Sequence, residues 1–264
     1  MNFIVATSRG KGLLALNGHP NTVLRFHSGA SIADLTDVAK DLIEDHPQDP
    51  LGDRHFVYFV AGLPDVTLLQ KRKFNMHHRS YLYQEVVFKE EPSEAFHRVK
   101  ELYEHADAQI KISNAIPVFS TIAPSSLHTW NSLRLYQQKT THLLHFKHYS
   151  KMQDNLITTI LQLNTFIRKL NQQNGVATPQ LAKEIIYRRG NSTRVRYGKL
   201  DDGVHPSPKI QEAWTNTLKS VLDLNRGKMD LVTATLPHNP PCYNSADNTS
   251  SSDEDQEPKR SWKY

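Results

Sequence analysis

Short, almost wholly apolar runs alternate along this chain with longer stretches whose apolar residues recur every three or four positions. Asn2 to Ala6 is the first such run, and it ends at Ser8-Arg-Gly-Lys-Gly, which reads as a strand running into a glycine-rich turn. Thr22 to Phe26 reads as a second strand, closed by Ser28-Gly29. Ser31 then stands as an N-cap before Ile32, Leu35, Val38, Ala39, Leu42 and Ile43 at helical spacing. His55 to Ala61 (HFVYFVA) is a nearly continuous apolar run, as expected of a strand buried on both faces of a parallel sheet. Ala115 to Ala123 (AIPVFSTIA) reads the same way. Tyr81 to Phe88 is predicted as an added strand or hairpin arm, and Leu181 to Ile186 as a short element. Further helices are predicted from Ser93, across Leu133 to Leu170 with a stop at Asn174-Gly175, and from Pro206-Ser207 onward. The last carries Ile210, Trp214, Leu218, Val221 and Leu222 on one face.

Strands alternating with helices imply βαβ crossovers. The expected fold class is α/β: a three-layer α/β/α sandwich around a mostly parallel central sheet. Beyond Leu236 the pattern ends in prolines and a Ser/Asp/Glu run. Residues 1–236 are therefore read as one domain and 237–264 as a disordered tail. The tail holds five acids and three bases, so it carries −2 and the remaining body +7 of the net +5. A basic body attracts anions, nucleic acid among them. At 38% hydrophobic residues and a mean hydropathy of −0.57 the composition is that of a globular chain, with no run long enough to span a membrane. Met1 to Ala6 is too short for a signal-peptide core, and there is a single cysteine, Cys242. The expectation is a cytoplasmic or nuclear protein that is not secreted. On that reading the two glycosylation sequons, at Asn191 and Asn248, are chance matches.

The residues best suited to chemistry lie at the two ends of the domain. Asp202-Gly-Val-His205-Pro precedes the last helix. An acid and a histidine three residues apart across a tight turn can face each other, the carboxylate fixing one imidazole nitrogen and leaving the other to take a nucleophile's proton. Ser8 sits at the carboxyl end of the first strand, the edge where parallel sheets build their sites.

Asp-x-x-His-Pro before a terminal helix resembles the last block of the SGNH/GDSL hydrolase superfamily. Three other segments follow that family's order: Ala6-Thr-Ser8-Arg-Gly-Lys-Gly12 for the Gly-Asp-Ser block, Ser28-Gly29-Ala30-Ser-Ile for the second, and Ala61-Gly62-Leu-Pro-Asp65 for Gly-x-Asn-Asp. The strand AIPVFSTIAP resembles the family's fourth. The likeness runs over about residues 1 to 226. It implies a flavodoxin-like SGNH hydrolase fold and a serine esterase or acetyl-hydrolase that needs no cofactor or metal. Ser8 would be the nucleophile, His205 the base and Asp202 the orienting acid. The backbone N–H groups of Ser8 and Gly29 would receive the oxyanion, and the substrate would be a small acyl ester. Two positions depart from the pattern. Ala6-Thr7 replaces Gly-Asp, and Pro64 replaces the third-block asparagine, whose side chain donates to the oxyanion in the family.

Two more features bear on function. His142, His145 and His148 recur every third residue and His77-His78 are adjacent, but no carboxylate or cysteine joins them, so they read as a solvated polar face. Arg188, Arg189, Arg194, Arg196 and Lys199 form a basic stretch with no acid, just before Asp202. The four arginines are candidate anion-binding residues, with Tyr187 and Tyr197 beside them. They support an alternative in a different class: a catalytically degenerate scaffold that binds nucleic acid, of mobile-element or viral origin.

Overall fold

The computed structural model describes residues 1–48, 54–76, 79–88, 90–137, 146–189 and 192–234. Strands β1 (Asn2–Ala6), β2 (Thr22–Phe26), β3 (Phe56–Val60) and β6 (Ile116–Phe119) make a parallel sheet in the order β2-β1-β3-β6. Every residue of β1 and β3 is buried, as their almost wholly apolar sequences require of central strands. Successive side chains point to opposite faces. Phe3, Val5, Val57 and Phe59 therefore pack on one side, under α1 (Ile32–Asp45), α3 (Pro92–Ile112) and α5 (Phe146–Gln173). Ile4, Ala6, Tyr58 and Val60 pack on the other, against a 3₁₀ helix (Ser8–Gly18) and α6 (Pro208–Ala234). This is the three-layer α/β/α sandwich expected from the sequence. Helix α1 starts where expected, with a complete capping box. The Asp34 N–H donates to Ser31 Oγ (3.1 Å) and the Ser31 N–H to Asp34 Oδ2 (2.8 Å).

Strand β6 is an edge, and its free side is closed by asparagines. Asn171 on α5 accepts from the Phe119 N–H at 3.0 Å and donates to the Phe119 carbonyl at 2.7 Å. One heptad earlier, Asn164 does the same for Ile122 (2.6 and 2.9 Å). Pro117 sits in this strand with its missing N–H causing no loss, the place where a sheet tolerates proline.

Several elements differ from expectation. The glycine-rich turn after β1 is a 3₁₀ helix of eleven residues. The hairpin arm is one half of a long two-stranded ribbon, β4 (Leu68–Met76) with β5 (Arg79–Val87). Helix α3 begins at Pro92, a favoured first helical position, rather than being capped by Ser93. The helix expected over 133–170 is described as α4 (Leu127–Gln137) and α5. Strands β7 (Ile186–Arg189) and β8 (Ser192–Val195) pair as a second ribbon. A single turn of helix, α2 (Leu63–Val66), follows β3. The expected tail, His77-His78, His142 and His145 lie outside the described residues, as does the side chain of His148. Among the described residues no helix is long and apolar enough to cross a membrane, and no three His, Cys, Asp or Glu side chains cluster to hold a metal.

Candidate active site

The loops that leave the carboxyl ends of β1, β2 and β3 converge at one end of the sheet, and the loop before α6 reaches the same place. Together with α4 and the β4–β5 ribbon they enclose a cavity of about 850 Å³. Ser8, Gly29, Pro64, Asp202 and His205 all line it.

Asp202 and His205 form one compact turn. Asp202 Oδ1 accepts from the backbone N–H groups of Val204 (2.9 Å) and His205 (2.7 Å), while Oδ2 meets His205 Nδ1 at 2.6 Å. His205 Nε2 lies 3.3 Å from Ser8 Oγ, closing the row across 197 residues of sequence. Burial pushes the Asp202 pKa up. The hydrogen bonds from the His205 backbone and ring and from the Val204 N–H outweigh it and hold the carboxyl below its ordinary value. The turn needs Gly203 for two reasons. Its φ is +82°, and a Cβ there would lie 2.8–2.9 Å from Thr129 Cβ, the Ser126 carbonyl and the Trp130 N. The Ser126 N–H donates to the Gly203 carbonyl at 2.6 Å, which docks the turn onto the start of α4.

Ser8 is the first residue of its 3₁₀ helix, so its N–H has no partner within that helix. The next residue, Arg9, is buried and binds three carbonyls: Val204 from Nε at 2.9 Å, Pro124 from Nη2 at 3.2 Å, and Ala123 from Nη1. Arg9 thereby ties the serine's turn to the histidine's loop and to the exit of β6. Burial lowers its pKa to about 10, partly opposed by the charge of Asp202, so it stays protonated at neutral pH. Nothing local in the sequence marks Arg9 for this role, because its acceptors lie 114 to 195 residues away.

Gly29 lines the cavity in a left-handed turn (φ +74°) at the end of β2. The third-block loop is anchored by its last residue. Buried Asp65 accepts from the Ile32 N–H, the first of α1, at 3.1 and 3.2 Å. Burial raises its pKa to about 6 against the pull of that N–H and of Arg98. Gly62 permits the loop's approach to the core, since a Cβ there would sit 2.6 Å from Tyr103 Oη. Pro64 faces the cavity and offers no donor.

The candidate arginines stand elsewhere. Arg188, Arg189 and Arg194 are on the β7–β8 ribbon and Arg196 follows it; Arg189, Arg194 and Arg196 do not line the cavity, and the side chain of Arg188 lies outside the described residues. Arg189, Arg194 and Arg196 are exposed, and Arg196 stacks 4.5 Å over the Tyr187 ring. Among the described residues the lysine and arginine side chains that do line the cavity are Arg9, Lys11 and Arg134. Sequence reasoning passed over all three.

No protein-family model matches the chain, and no curated protein sequence matches it. Among solved structures it is similar to a GDSL-like lipase from Bacteroides thetaiotaomicron, at 13% identity over 84% of this chain and 87% of that one, with a TM-score of 0.49. It is also similar to an acetyl xylan esterase, at 14% identity over 83% and 98%, TM-score 0.48. A member of the lipolytic G-D-S-L family from Veillonella parvula matches at 9% identity over 83% and 96%, TM-score 0.48.

Proposed function

We propose that this protein is a serine hydrolase of SGNH type, acting on small acyl esters through Ser8, His205 and Asp202. The observation that carries this reading is the continuous Asp202–His205–Ser8 hydrogen-bonded row opening into the cavity. In the proposed reaction Ser8 Oγ attacks the ester carbonyl while His205 Nε2 takes its proton. Asp202 accepts from Nδ1–H and stabilises the imidazolium. The proton then passes to the departing alcohol, and a water activated by the same histidine releases the acid from the acyl-serine. The N–H groups of Ser8 and Gly29 are assigned to the oxyanion. Pro64 supplies no third donor, a loss that typically slows such reactions by about 10² to 10³. The enzyme is thus expected to turn over slowly.

The exposed arginines of the β7–β8 ribbon favour a second reading, a scaffold that binds nucleic acid through Arg194 and Arg196. One experiment separates the two. A fluorophosphonate probe labels an activated serine, so wild type should be labelled while Ser8→Ala and His205→Ala are not. If folded wild type resists the probe, the hydrolase reading fails. Salt-dependent RNA binding weakened by neutralising Arg194 and Arg196 would then support the second.

A further inference from the structure

The cavity carries positive charge that the proposed chemistry does not use. Among the described residues its charged lining, His205 aside, is Arg9, Lys11, Arg134 and Asp202. Arg9 is spent on three carbonyls, and Asp202 on His205 and two backbone N–H groups. Lys11 and Arg134 remain. Lys11 follows Ser8 by three residues in a 3₁₀ helix, where side chains i and i+3 eclipse. The Lys11 side chain therefore leaves the helix on the same face as Ser8, and both line the cavity.

Arg134 approaches from α4. Trp130, Leu133, Arg134 and Gln137 all line the cavity, and their spacing makes one helix face. The guanidinium lies 5.4 Å from the Trp130 ring centre and 3.5 Å from Gln84 Oε1. Both neighbours are neutral, so they orient the charge without cancelling it. No ion pair joins either cation to a carboxylate among the described residues. Among the described residues the rest of this wall is uncharged, with Leu69, Val86 and Leu133 beside Thr67, Gln84 and Gln137, so no acid of the wall competes with an anion for the two cations.

We infer that the site selects esters bearing an anionic group, a carboxylate or phosphate, at a distance from the scissile carbonyl. Lys11 and Arg134 hold that group, and the planar guanidinium can bind it through two N–H donors. The proposal rests on the hydrolase reading and names its substrate class.

The test compares kcat/KM for 4-acetoxybenzoate and 4-acetoxybenzamide, esters matched in shape but not in charge. Two partly exposed charge contacts predict a preference of about tenfold for the anion. Lys11→Met and Arg134→Met should each reduce the ratio by about threefold to fivefold, Arg134→Lys should retain part of it, and added salt should compress it. Lys169→Met, exposed on α5, lowers the net charge equally and should leave the ratio intact. Ser8-dependent hydrolysis without an anion preference, or with one that survives both substitutions, overturns this proposal and leaves the hydrolase reading standing. Folded protein with no Ser8-dependent turnover of either ester overturns both.

Discussion

Arg9 carries a full charge into the interior, where its three carbonyl partners belong to segments that must be held together for Ser8 and His205 to meet. Replacing it with Met would leave those carbonyls without donors. Each buried, unsatisfied group costs about 1–3 kcal/mol, so Arg9→Met should destabilise the fold by about 3 kcal/mol or more in urea denaturation. If Arg9 also positions the site, kcat should fall further than KM rises, and Arg9→Lys should recover stability better than kcat. A variant that loses stability but keeps kcat would confine Arg9 to a structural role. Asp65 works in the opposite electrostatic sense. Its pKa is raised to about 6 in the fold, so the stability it contributes is fully present below its unfolded value and is lost as pH rises through about 6. The stability of wild type relative to Asp65→Asn should therefore decline by about 2–3 kcal/mol between pH 4 and pH 7. Parallel curves for the two proteins would show that the carboxyl is not so perturbed. Asp202, held below its ordinary value, loses its contribution only when acid reaches that lower range.

At the scale of elements, the asparagines of α5 do what a further strand would do for β6. Asn171 and Asn164 each satisfy both backbone groups of one residue, and both are buried. Asn171→Leu should orphan the N–H and carbonyl of Phe119 and cost about 3 kcal/mol. Asn164→Leu should cost a similar amount at Ile122. Two turns separate the pair and they share no acceptor, so the double variant should lose the sum to within about 0.5 kcal/mol. A markedly smaller sum in urea denaturation would mean that α5 shifts as a unit after the first loss.

At the scale of the whole molecule, what could be read from the sequence divides along the range of the forces involved. β1, β3 and the Ser31 capping box were legible because burial on both faces and local capping leave local patterns. Asp202 and His205 were legible for the same reason, as two chemically matched residues within one turn. Ser8 stood out less locally, through the rule that parallel sheets build sites at their carboxyl edge and through the order of the segments that resemble a known family. Of the ribbon β4–β5, the second arm was legible and the first left no such trace. β4 opens on two exposed leucines, 55% and 50% accessible, and continues Gln70-Lys71-Arg72-Lys73, so no apolar alternation announces it. The basic stretch 188–199 drew attention by composition, whereas the cations lining the cavity, Lys11 and Arg134, are isolated in sequence and are brought together only by the packing of α4. Charge density along a chain is a poor guide to charge density in a cavity.

The 197 residues between Ser8 and His205 also set an order of events during synthesis. Ser8 is made before His205, which follows only after all four strands of the parallel sheet and most of the described helices. Until the turn 202–205 has been made and has docked on α4, no imidazole stands beside the Ser8 hydroxyl. On the proposed hydrolase reading, a chain ending before residue 202 would carry Ser8 and much of the cavity lining yet resist a fluorophosphonate probe, so labelling would report that the turn 202–205 is in place.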